Sequence, residues 1–567
     1  MPVSKPPNPD ALPATSPPRA DWVLCNGKIW TGAPLTLKDC RRPAREFVEA
    51  VAVAGERILA LGSLQDLQPY LVSQTVLLDL HGQLALPGFI DSHVHFLEGG
   101  FQLQQLNLSR AKSQADFVAR LAGHAASVPP GQWILGGGWD ENAWPLRQLP
   151  TRWLIDSVTP HHPVFLRRAD GHAALANSLA LRRAGLTRAT ASPPGGEIVR
   201  DPASGEPTGV LKDRAQDLVA GQIPPPTESA ILSALRLALA EASRCGVTSV
   251  HNMDLGRSSQ SPRPSALEPL LRARAEGWLT CRFYEFVPAE LGPEAFNELR
   301  ERVQQDALLR VGGWKAFADG SLGSRTAWME EAYTDAPSNF GLPMPWLMVP
   351  GRLQSLVCDA DRAQAQLAVH AIGTRAVHEI LTTFEAVAGA EPLTRRFRLE
   401  HAQHMRPEDF ARLARLGVIA SMQPYHAIAD GCWAESCLGS ARARWSYAWR
   451  AVLDAGAKLA FGSDWPVAPL APLLGIYAAL TRVTLDGKHP GGWIPEQKIS
   501  LRQALGAYTS GAAFAEFQEN EKGTLSPGKL ADIVVLSADL FALPPEKIKD
   551  VRVTMTMVGG KMVYQAT

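Results

Sequence analysis

Residues 406–424 read RPEDFARLARLGVIASMQP, and this stretch decides the fold. Its first half has the apolar spacing of an amphipathic helix, a glycine follows where that helix would end, and a β-branched run then leads into polar residues. The same order recurs at 233–254 in SALRLALAEASRCGVTSVHNMD and at 448–466 in AWRAVLDAGAKLAFGSDWP. Helix, glycine and buried strand form the repeating unit of a parallel α/β barrel. We therefore predict a (β/α)8 TIM barrel whose chemistry lies at the carboxyl ends of the strands.

The two ends of the chain have a different texture. Short apolar runs separated by glycine turns occur in WVLCNGKIW (22–30), in TVLLDLHGQLALPGF (75–89) and in VRVTMTMVGGKMVYQ (551–565). Each end is too short to bury a core alone, so we predict that they pair as a small discontinuous β-sandwich. The predicted organisation is a Pro-rich disordered tail at 1–20, a composite sandwich from 21–87 and 520–567, and a barrel over 88–519 with an insertion around 107–215.

Composition excludes several classes of protein. Lys plus Arg and Asp plus Glu both total 56 among 567 residues, so no net charge favours nucleic acid or an anionic membrane. The seven cysteines are dispersed and lack CxxC spacing, which argues against a disulfide framework and fits a reducing compartment. We expect a cytoplasmic protein with a small-molecule substrate and with no nucleic-acid or membrane partner, and we leave a homodimer open.

Histidine and aspartate recur at the ends of apolar runs. His93 and His95 form an HxH pair after LALPGFI, and residues two apart on a strand point to the same side, so both can bind one ion. His370 ends QLAVH, His401 ends RLEH and Asp464 ends FGSD. His401 follows His370 by 31 residues, about one β/α unit, and Asp464 follows His401 by 63, about two. This phase predicts ligands at the ends of barrel strands five, six and eight.

Lys315, in VGGWKAFADGS, is an unusual residue at the end of a buried strand. Burial of an unpaired ammonium is costly and lowers its pKa. A neutral amine can react with CO2 to form a carbamate, an anion that is able to bridge two cations. An ion pair with Asp319 or Asp464 would explain the same lysine, and spacing alone leaves both interpretations open.

A series of motifs occurs in order from about residue 21 to the C-terminus: PGFIDSHVHF, GGGWDENAW, RADGHAALANSLAL, WKAFADGSLGSRTA, QLAVHAIG, RLEHAQ, ASMQPYH, FGSDWPV, ALGAYTSGAAFA and GTLSPGKLADIVVL. Together they resemble the amidohydrolase superfamily, and within it the YtcJ-like proteins and N-substituted formamide deformylases of amidohydrolase family 3. One departure is Thr374, which stands where this subgroup usually has the aspartate of HAIGD. A contact made by that aspartate is therefore in doubt.

The resemblance implies a role for each candidate ligand. His93 and His95 would bind the buried metal, and Asp464 would contact the same ion and act as base. A carbamylated Lys315 would bridge to a second ion. That second ion would be held by His370 and His401.

This constellation predicts a metal-dependent hydrolase that acts on a carbon–nitrogen bond other than a peptide bond. The catalytic residues are Asp464 and Lys315, and the expected substrate is an amide or an N-substituted formamide. One or two divalent ions per chain would lower the pKa of bound water so that hydroxide forms near neutral pH. Zinc is the ion that we expect, although manganese, iron or cobalt would accept the same ligands. The candidates for substrate contacts, each with a structural role as its alternative, are Trp139, His172, Gln423 and His426.

Three other functions stay open. A deaminase of the same fold usually carries a glutamate three residues after the fifth-strand histidine, where this chain has Gly373. An ester or lactone hydrolase could use the same metal site. A non-catalytic scaffold protein would have lost its ligands, whereas all six positions are filled here.

Overall fold

The computed structural model describes residues 18–33, 45–141, 144–168, 173–253, 255, 265–389 and 394–566. Most of the predicted tail at 1–20 lies outside these ranges, and so does His172. The chain divides into two compact units, one formed by 1–96 and 239–567 and the other by 97–238. The insertion predicted around 107–215 falls within the second unit, while the predicted domain boundaries stay predictions.

The first unit contains an eight-stranded parallel sheet whose strands follow one another in chain order. The strands are β1 Phe89–Val94, β2 Val247–Asn252, β3 Arg282–Pro288, β4 Leu309–Phe317, β5 Gln366–Ala371, β6 Arg398–His401, β7 Ile419–Met422 and β8 Lys458–Phe461. The sheet closes just beyond β8, where the backbone N–H of Asp464 donates to the carbonyl of His93 at 2.7 Å and that of His95 donates to Trp465 at 2.8 Å. The predicted (β/α)8 barrel is confirmed.

Helices separate the strands as the sequence pattern predicts. Gly246, Gly417 and Gly456 each lie between a helix and a strand, with φ of 75°, 66° and 81°. Glycine is favoured in this left-handed region, so it ends the helix and turns the chain into the strand. The helices of the barrel are Glu228–Arg244, Leu267–Ala275, Gly292–Val303, Arg352–Arg362, Thr374–Ala388, Pro407–Leu416, Pro424–Asp430, Ala434–Leu438, Ser440–Ala443, Trp449–Asp454, Pro472–Thr481, Leu501–Ala507 and Ser510–Ala515.

The two ends of the chain form a β-sandwich, which confirms the predicted fold class. One sheet contains Trp22–Cys25, Ala50–Ala54, Arg57–Gly62 and Val76–Asp79, with the helix Leu64–Leu67 beside it. The other contains Lys28–Trp30, Phe47–Val48, Leu84–Pro87, Ile533–Leu536, Val553–Val558 and Lys561–Gln565. Leu84–Pro87 pairs antiparallel with Ile533–Leu536, and this pairing joins the two ends. Leu24 and Val51 from the first sheet pack in one core with Ile533 and Met555 from the second.

A buried ion pair joins the barrel to the sandwich. Arg282, at the start of β3, donates from Nε to Asp532 at 2.7 Å and from Nη2 at 2.9 Å. Both side chains are at most 5% exposed. Two parallel bonds between a guanidinium and a carboxylate fix geometry as well as energy. The pair therefore holds the start of the last sandwich segment against the amino end of β3.

We expect Arg282→Met to lower the free energy of unfolding by about 3–5 kcal/mol, because it leaves the Asp532 carboxylate buried without its counter-charge. Urea denaturation measures the loss. Arg302→Met removes one side of an exposed pair with Glu268 and should change stability by about 1 kcal/mol or less. An equal loss in the two variants would contradict the structural weight given to the buried pair.

The second unit has a sheet and a core of its own. Its strands are Leu106–Asn107, Ile134–Trp139, Val164–Arg168, Ala173–Ala176, Gly196–Arg200 and Pro207–Asp213. Its helices are Gln114–Ala125, Arg152–Asp156, Ser178–Arg183 and Asp217–Ala220, and Phe96–Gln104 leads into it. No helix among the described residues is long and apolar enough to cross a membrane.

Trp139 is a core residue of this second unit. Its side chain is 0% exposed, its ring packs against Phe117 and Trp144, and its indole N–H donates to the carbonyl of Leu166 at 3.0 Å. An indole whose donor is satisfied and whose ring is enclosed has no face left for a ligand. The predicted substrate contact of Trp139 is therefore corrected to a packing role.

Candidate metal centre

His93 and His95 point to the same side of the chain at the end of β1, and both approach Asp464. Nε2 of His93 lies 3.6 Å from Oδ1 of Asp464, and Nε2 of His95 lies 3.5 Å from the same oxygen. The backbone pairing that closes the barrel sets this register, because it joins His93 directly to Asp464. The three side chains converge on a point where their donor atoms could hold one cation.

Lys315, His370 and His401 join the same cluster from β4, β5 and β6. Nζ of Lys315 lies 3.3 Å from Nε2 of His93. The imidazole centroid of His401 is 4.8 Å from that of His93 and 4.5 Å from that of His370. The structure therefore brings all six predicted ligands together at the carboxyl ends of the strands. Their metal-binding roles stay predictions.

Backbone strain coincides with two of these ligands. His401 has a φ of 72° and Asp464 a φ of 58°, both in the left-handed region. Side chains other than glycine enter this region at a cost of about 1–3 kcal/mol, and such residues cluster at active sites and ligand clamps. The same backbone conformation occurs at residues far from the cluster, such as Asn26 and Gln304, so at His401 and Asp464 it accompanies the proposed site without defining it.

The ionisation states of the cluster suit a cation. Burial, together with the charge of Lys315, lowers the pKa of His93 to about 4 and that of His370 to about 3. Burial and the neighbouring imidazoles also hold the pKa of His401 well below its usual value. Burial would raise the pKa of Asp464, but a hydrogen bond from His95 and the nearby imidazoles keep it well below the ordinary value. Neutral imidazoles and a carboxylate are the forms that bind a divalent ion.

Glu400 orients His93 and was not among the residues predicted from the sequence. Nδ1 of His93 lies 2.5 Å from Oε2 of Glu400, and both side chains are 0% exposed. Burial alone would raise the pKa of Glu400, but Arg398 and His93 beside it hold that pKa below its usual value. A carboxylate only accepts, so Nδ1 carries the proton and Nε2 presents its lone pair to the cluster. The available signal was the alternation of Arg398 and Glu400 on β6, which places two charged side chains on one side of a buried strand.

Gln423 orients His401 in the same way. Its Oε1 lies 2.8 Å from Nδ1 of His401, and its Nε2 donates to the carbonyl of Ser421 at 3.3 Å. The residue is fully buried at the end of β7. Gln423 therefore holds the ring of His401 in place, and its predicted substrate contact stays a prediction.

Replacement of Gln423 tests this supporting role. We expect Gln423→Met to weaken zinc binding by about 10- to 100-fold, because His401 loses the acceptor that fixes its tautomer while the side-chain volume is kept. Competition with a chromophoric chelator measures the dissociation constant. Gln364→Met, on an exposed turn, serves as the control. Unchanged affinity in folded Gln423→Met protein would contradict the assignment.

His426 lies beside the cluster, one turn into the helix that follows β7. Its ring stacks on that of His401 at 6.5 Å and 10°, and its Nε2 lies 3.9 Å from Oδ2 of Asp464. Gln403 approaches the other ring nitrogen at 3.5 Å. Nε2 of His426 is buried and has no hydrogen-bond partner among the described residues. This nitrogen faces the cluster and can meet a ligand there, as the sequence predicts, and the role stays a prediction.

Asp319 secures the loop that follows β4. Its carboxylate accepts from the backbone N–H groups of Ile372 at 3.0 Å and of Trp328 and Gly373 at 2.8 Å. The next residue, Gly320, accepts from Nε2 of His370 at 3.0 Å. A carbonyl cannot donate, so Nδ1 of His370 presents the lone pair. Asp319 therefore fixes this loop through three backbone N–H groups.

Position 373 has no room for a side chain. A Cβ on Gly373 would lie 2.1 Å from the carbonyl oxygen of Trp328, a backbone atom that cannot move aside cheaply. The glutamate of a deaminase could not occupy this position without a shift of the loop. At the next residue, the hydroxyl of Thr374 accepts from the backbone N–H of Glu330 at 3.0 Å. Thr374 thus has a structural contact where the subgroup has an aspartate.

The donor set fits one or two divalent cations. It combines neutral imidazoles, a carboxylate and a lysine that could carry a carbamate, which is the mixture of nitrogen and oxygen ligands that zinc accepts. Two overlapping triads lie within 4.8 Å: His93, His95 and Asp464, and His401, His426 and Asp464. Asp464 belongs to both triads, so its two oxygens could serve different partners.

Comparison with known proteins shows the family to which the chain belongs. A sequence model described as Amidohydrolase family matches residues 76–564. The protein LONG AFTER FAR-RED 3 of Arabidopsis thaliana is 38% identical over 98% of this chain and 94% of its own length. The putative amidohydrolase YtcJ of Bacillus subtilis is 33% identical over 91% and 96%. The N-substituted formamide deformylase of Arthrobacter pascens is 26% identical over 92% and 95%.

A solved structure extends the comparison to the fold. An uncharacterized metal-dependent hydrolase from Pyrococcus furiosus superposes with a TM-score of 0.71 at 28% identity, covering 93% of this chain and 100% of that one. The predicted resemblance to the YtcJ-like and N-substituted formamide deformylase subgroup is confirmed.

Proposed function

The chain belongs to the amidohydrolase family and is a metal-dependent hydrolase, and we propose that it cleaves the carbon–nitrogen bond of an amide, with N-substituted formamides as the first substrate class to test. The observation that carries the proposal is that all six ligand positions lie in one cluster at the mouth of the barrel. A cytoplasmic location belongs to the same proposal.

The residues divide between two ions. His93, His95 and Asp464 would hold one, His370 and His401 would hold the other, and a carbamate on Lys315 would bridge them. Zinc suits this set. When bound, the ions lower the pKa of water and polarise the carbonyl oxygen of the substrate.

Asp464 is the residue that we propose moves the proton. Its carboxylate is an anion at neutral pH and is only 7% exposed, so it can accept a proton from the attacking water and return it to the departing nitrogen. His426 faces the same carboxylate with Nε2 at 3.9 Å. An N–H at that position would donate to the developing negative charge on the substrate oxygen. The released products are an amine and a carboxylic acid, formate in the case of a formamide.

The experiment is a substrate panel with the zinc-loaded chain. N-formyl amides, N-acyl amines, cyclic amides, lactones and an aminopyrimidine are compared by kcat/KM. The proposal predicts that the N-formyl and N-acyl amides are hydrolysed fastest and that activity is lost on chelation. Preference for lactones would move the reaction to carbon–oxygen bonds. Turnover of the aminopyrimidine alone would favour a deaminase, against the space available at Gly373.

A further inference from the structure

A network of buried ionisable side chains runs through the barrel interior from the metal ligand His93. Beyond Glu400 it passes to Arg398, whose Nε lies 2.7 Å from Oε1 of Glu400. Nη1 of Arg398 is 2.9 Å from Nδ1 of His251 on β2. Nε2 of His251 is 3.3 Å from Oε1 of Glu516, which follows the helix Ser510–Ala515. Each of these five side chains is at most 2% exposed.

At the end of this network farthest from His93, Glu516 also has a charged partner, Lys522. Nζ of Lys522 lies 2.8 Å from Oε1 of Glu516 and donates to Oγ of Ser249 at 2.6 Å. The charges of this network balance, since Lys522 faces Glu516 and Arg398 faces Glu400. Buried charges persist only when they are paired, and each acid of this network has a base beside it: Arg398 lies 2.7 Å from Glu400 and Lys522 lies 2.8 Å from Glu516.

Arg398 is the centre of this network because it contacts several strands at once. Nη2 donates to the carbonyl of Ser92 on β1 at 2.6 Å and to Oγ of Ser421 on β7 at 2.8 Å. Its guanidinium carbon lies 5.0 Å from the ring centroid of Phe286 on β3. With His251 on β2 and Glu400 on β6, this one side chain ties five of the eight strands together. A lysine has one charged atom and no planar fork, so it could not reach the same set.

Donor and acceptor chemistry fixes which group donates and which accepts at each hydrogen bond of this network. Arginine only donates, so Nδ1 of His251 must accept and its proton lies on Nε2, facing Glu516. Glu400 only accepts, so it receives both Arg398 and the Nδ1–H of His93. Reversal at His251 would leave a buried donor facing Arg398, and reversal at His93 would leave a buried acceptor facing Glu400. The lone pair on Nε2 of His93 follows from this order.

We infer that Arg398 and His251 are positioning residues for His93. They hold Glu400 in place, and through Glu400 they set the affinity for the ion that His93, His95 and Asp464 would bind. The inference rests on the proposed metal site. Neither residue is one of the six ligands, and neither would contact substrate. Carboxylates that orient ligand histidines typically contribute about 10- to 100-fold to metal affinity, and here that contribution depends on a residue one step further away.

The test is a zinc titration of the full chain after removal of metal by a chelator. Competition with a chromophoric chelator gives the dissociation constant, and the visible spectrum of the cobalt-loaded protein reports ligand geometry. We expect Arg398→Met to raise the zinc dissociation constant by about 10- to 100-fold and to shift the cobalt bands. Arg398→Lys should give a smaller rise, and His251→Leu should change affinity in the same direction.

Arg282→Met is the matched control, because it also breaks a buried arginine–carboxylate pair in the same unit. It should lose stability but keep the wild-type zinc affinity and cobalt spectrum. Wild-type affinity in folded Arg398→Met would overturn the inference, and so would an equal loss in Arg282→Met. If Arg398→Met does not fold, Arg398→Lys and His251→Leu decide in the same way. A wild-type chain that binds no zinc would instead refute the proposed metal site.

Discussion

Asp464→Asn should lower kcat by about 10²- to 10⁴-fold while the chain keeps its metal. The amide oxygen of asparagine can still bind a cation, and its size preserves the packing of a residue that is only 7% exposed. It cannot accept a proton from water at neutral pH. The variant therefore separates proton transfer from metal binding, and kcat with the metal content measured on the same sample reports both.

The exposed Asp550→Asn is the control for this substitution, since its side chain is 61% exposed. It should leave kcat and metal content unchanged. Near wild-type kcat in fully loaded Asp464→Asn protein would remove Asp464 from the proton transfer. Loss of the metal together with kcat would reduce its role to that of a ligand.

If Lys315 carries the proposed carbamate bridge, Lys315→Ala should reduce kcat/KM by about 10³-fold, which is roughly 4 kcal/mol of transition-state stabilisation, because the anion between the two proposed ions would be lost. Nζ of Lys315 lies 3.3 Å from Nε2 of His93, so its removal opens a space among the ligands. Formate or acetate could fill that space with a carboxylate. We expect millimolar amounts of either to restore part of the activity in the presence of zinc.

Lys315→Met is the matched control, because its side chain fills the space and leaves no room for an added carboxylate. It should be as inactive as Lys315→Ala and should not respond to formate. Equal behaviour of the two variants would contradict a carbamate bridge and favour a lysine that acts through an ion pair. Wild-type activity in both would remove Lys315 from the site.

The sequence was most informative where a pattern repeats along the chain. His370, His401 and Asp464 could be placed on strands five, six and eight because each barrel strand ends at the same face and the units have similar lengths. The glycines at 246, 417 and 456 marked the helix ends for a local reason, the left-handed backbone. Such features depend on residues that are neighbours in the sequence, so a single amino-acid sequence is enough to predict them.

The supporting residues could not be found in this way. Glu400 meets His93, and Gln423 meets His401, only because particular strands become neighbours across the closed barrel. Trp139 was a candidate substrate contact with a structural role as its alternative, and the structure favours the alternative. A Cβ on Gly136 or Gly137 would clash with the adjacent strands, so these glycines serve close strand packing and the tryptophan fills the core.

The metal content of the chain tests the proposed centre most directly. The full chain is stripped with a chelator, reloaded with zinc, separated from free metal by gel filtration and analysed by mass spectrometry of the elements. We predict one or two zinc ions per wild-type chain, a reduced content in His93→Ala/His95→Ala, and an unchanged content in His161→Ala, whose side chain is exposed. A wild-type chain without zinc, or a double variant with the full complement, would contradict the site.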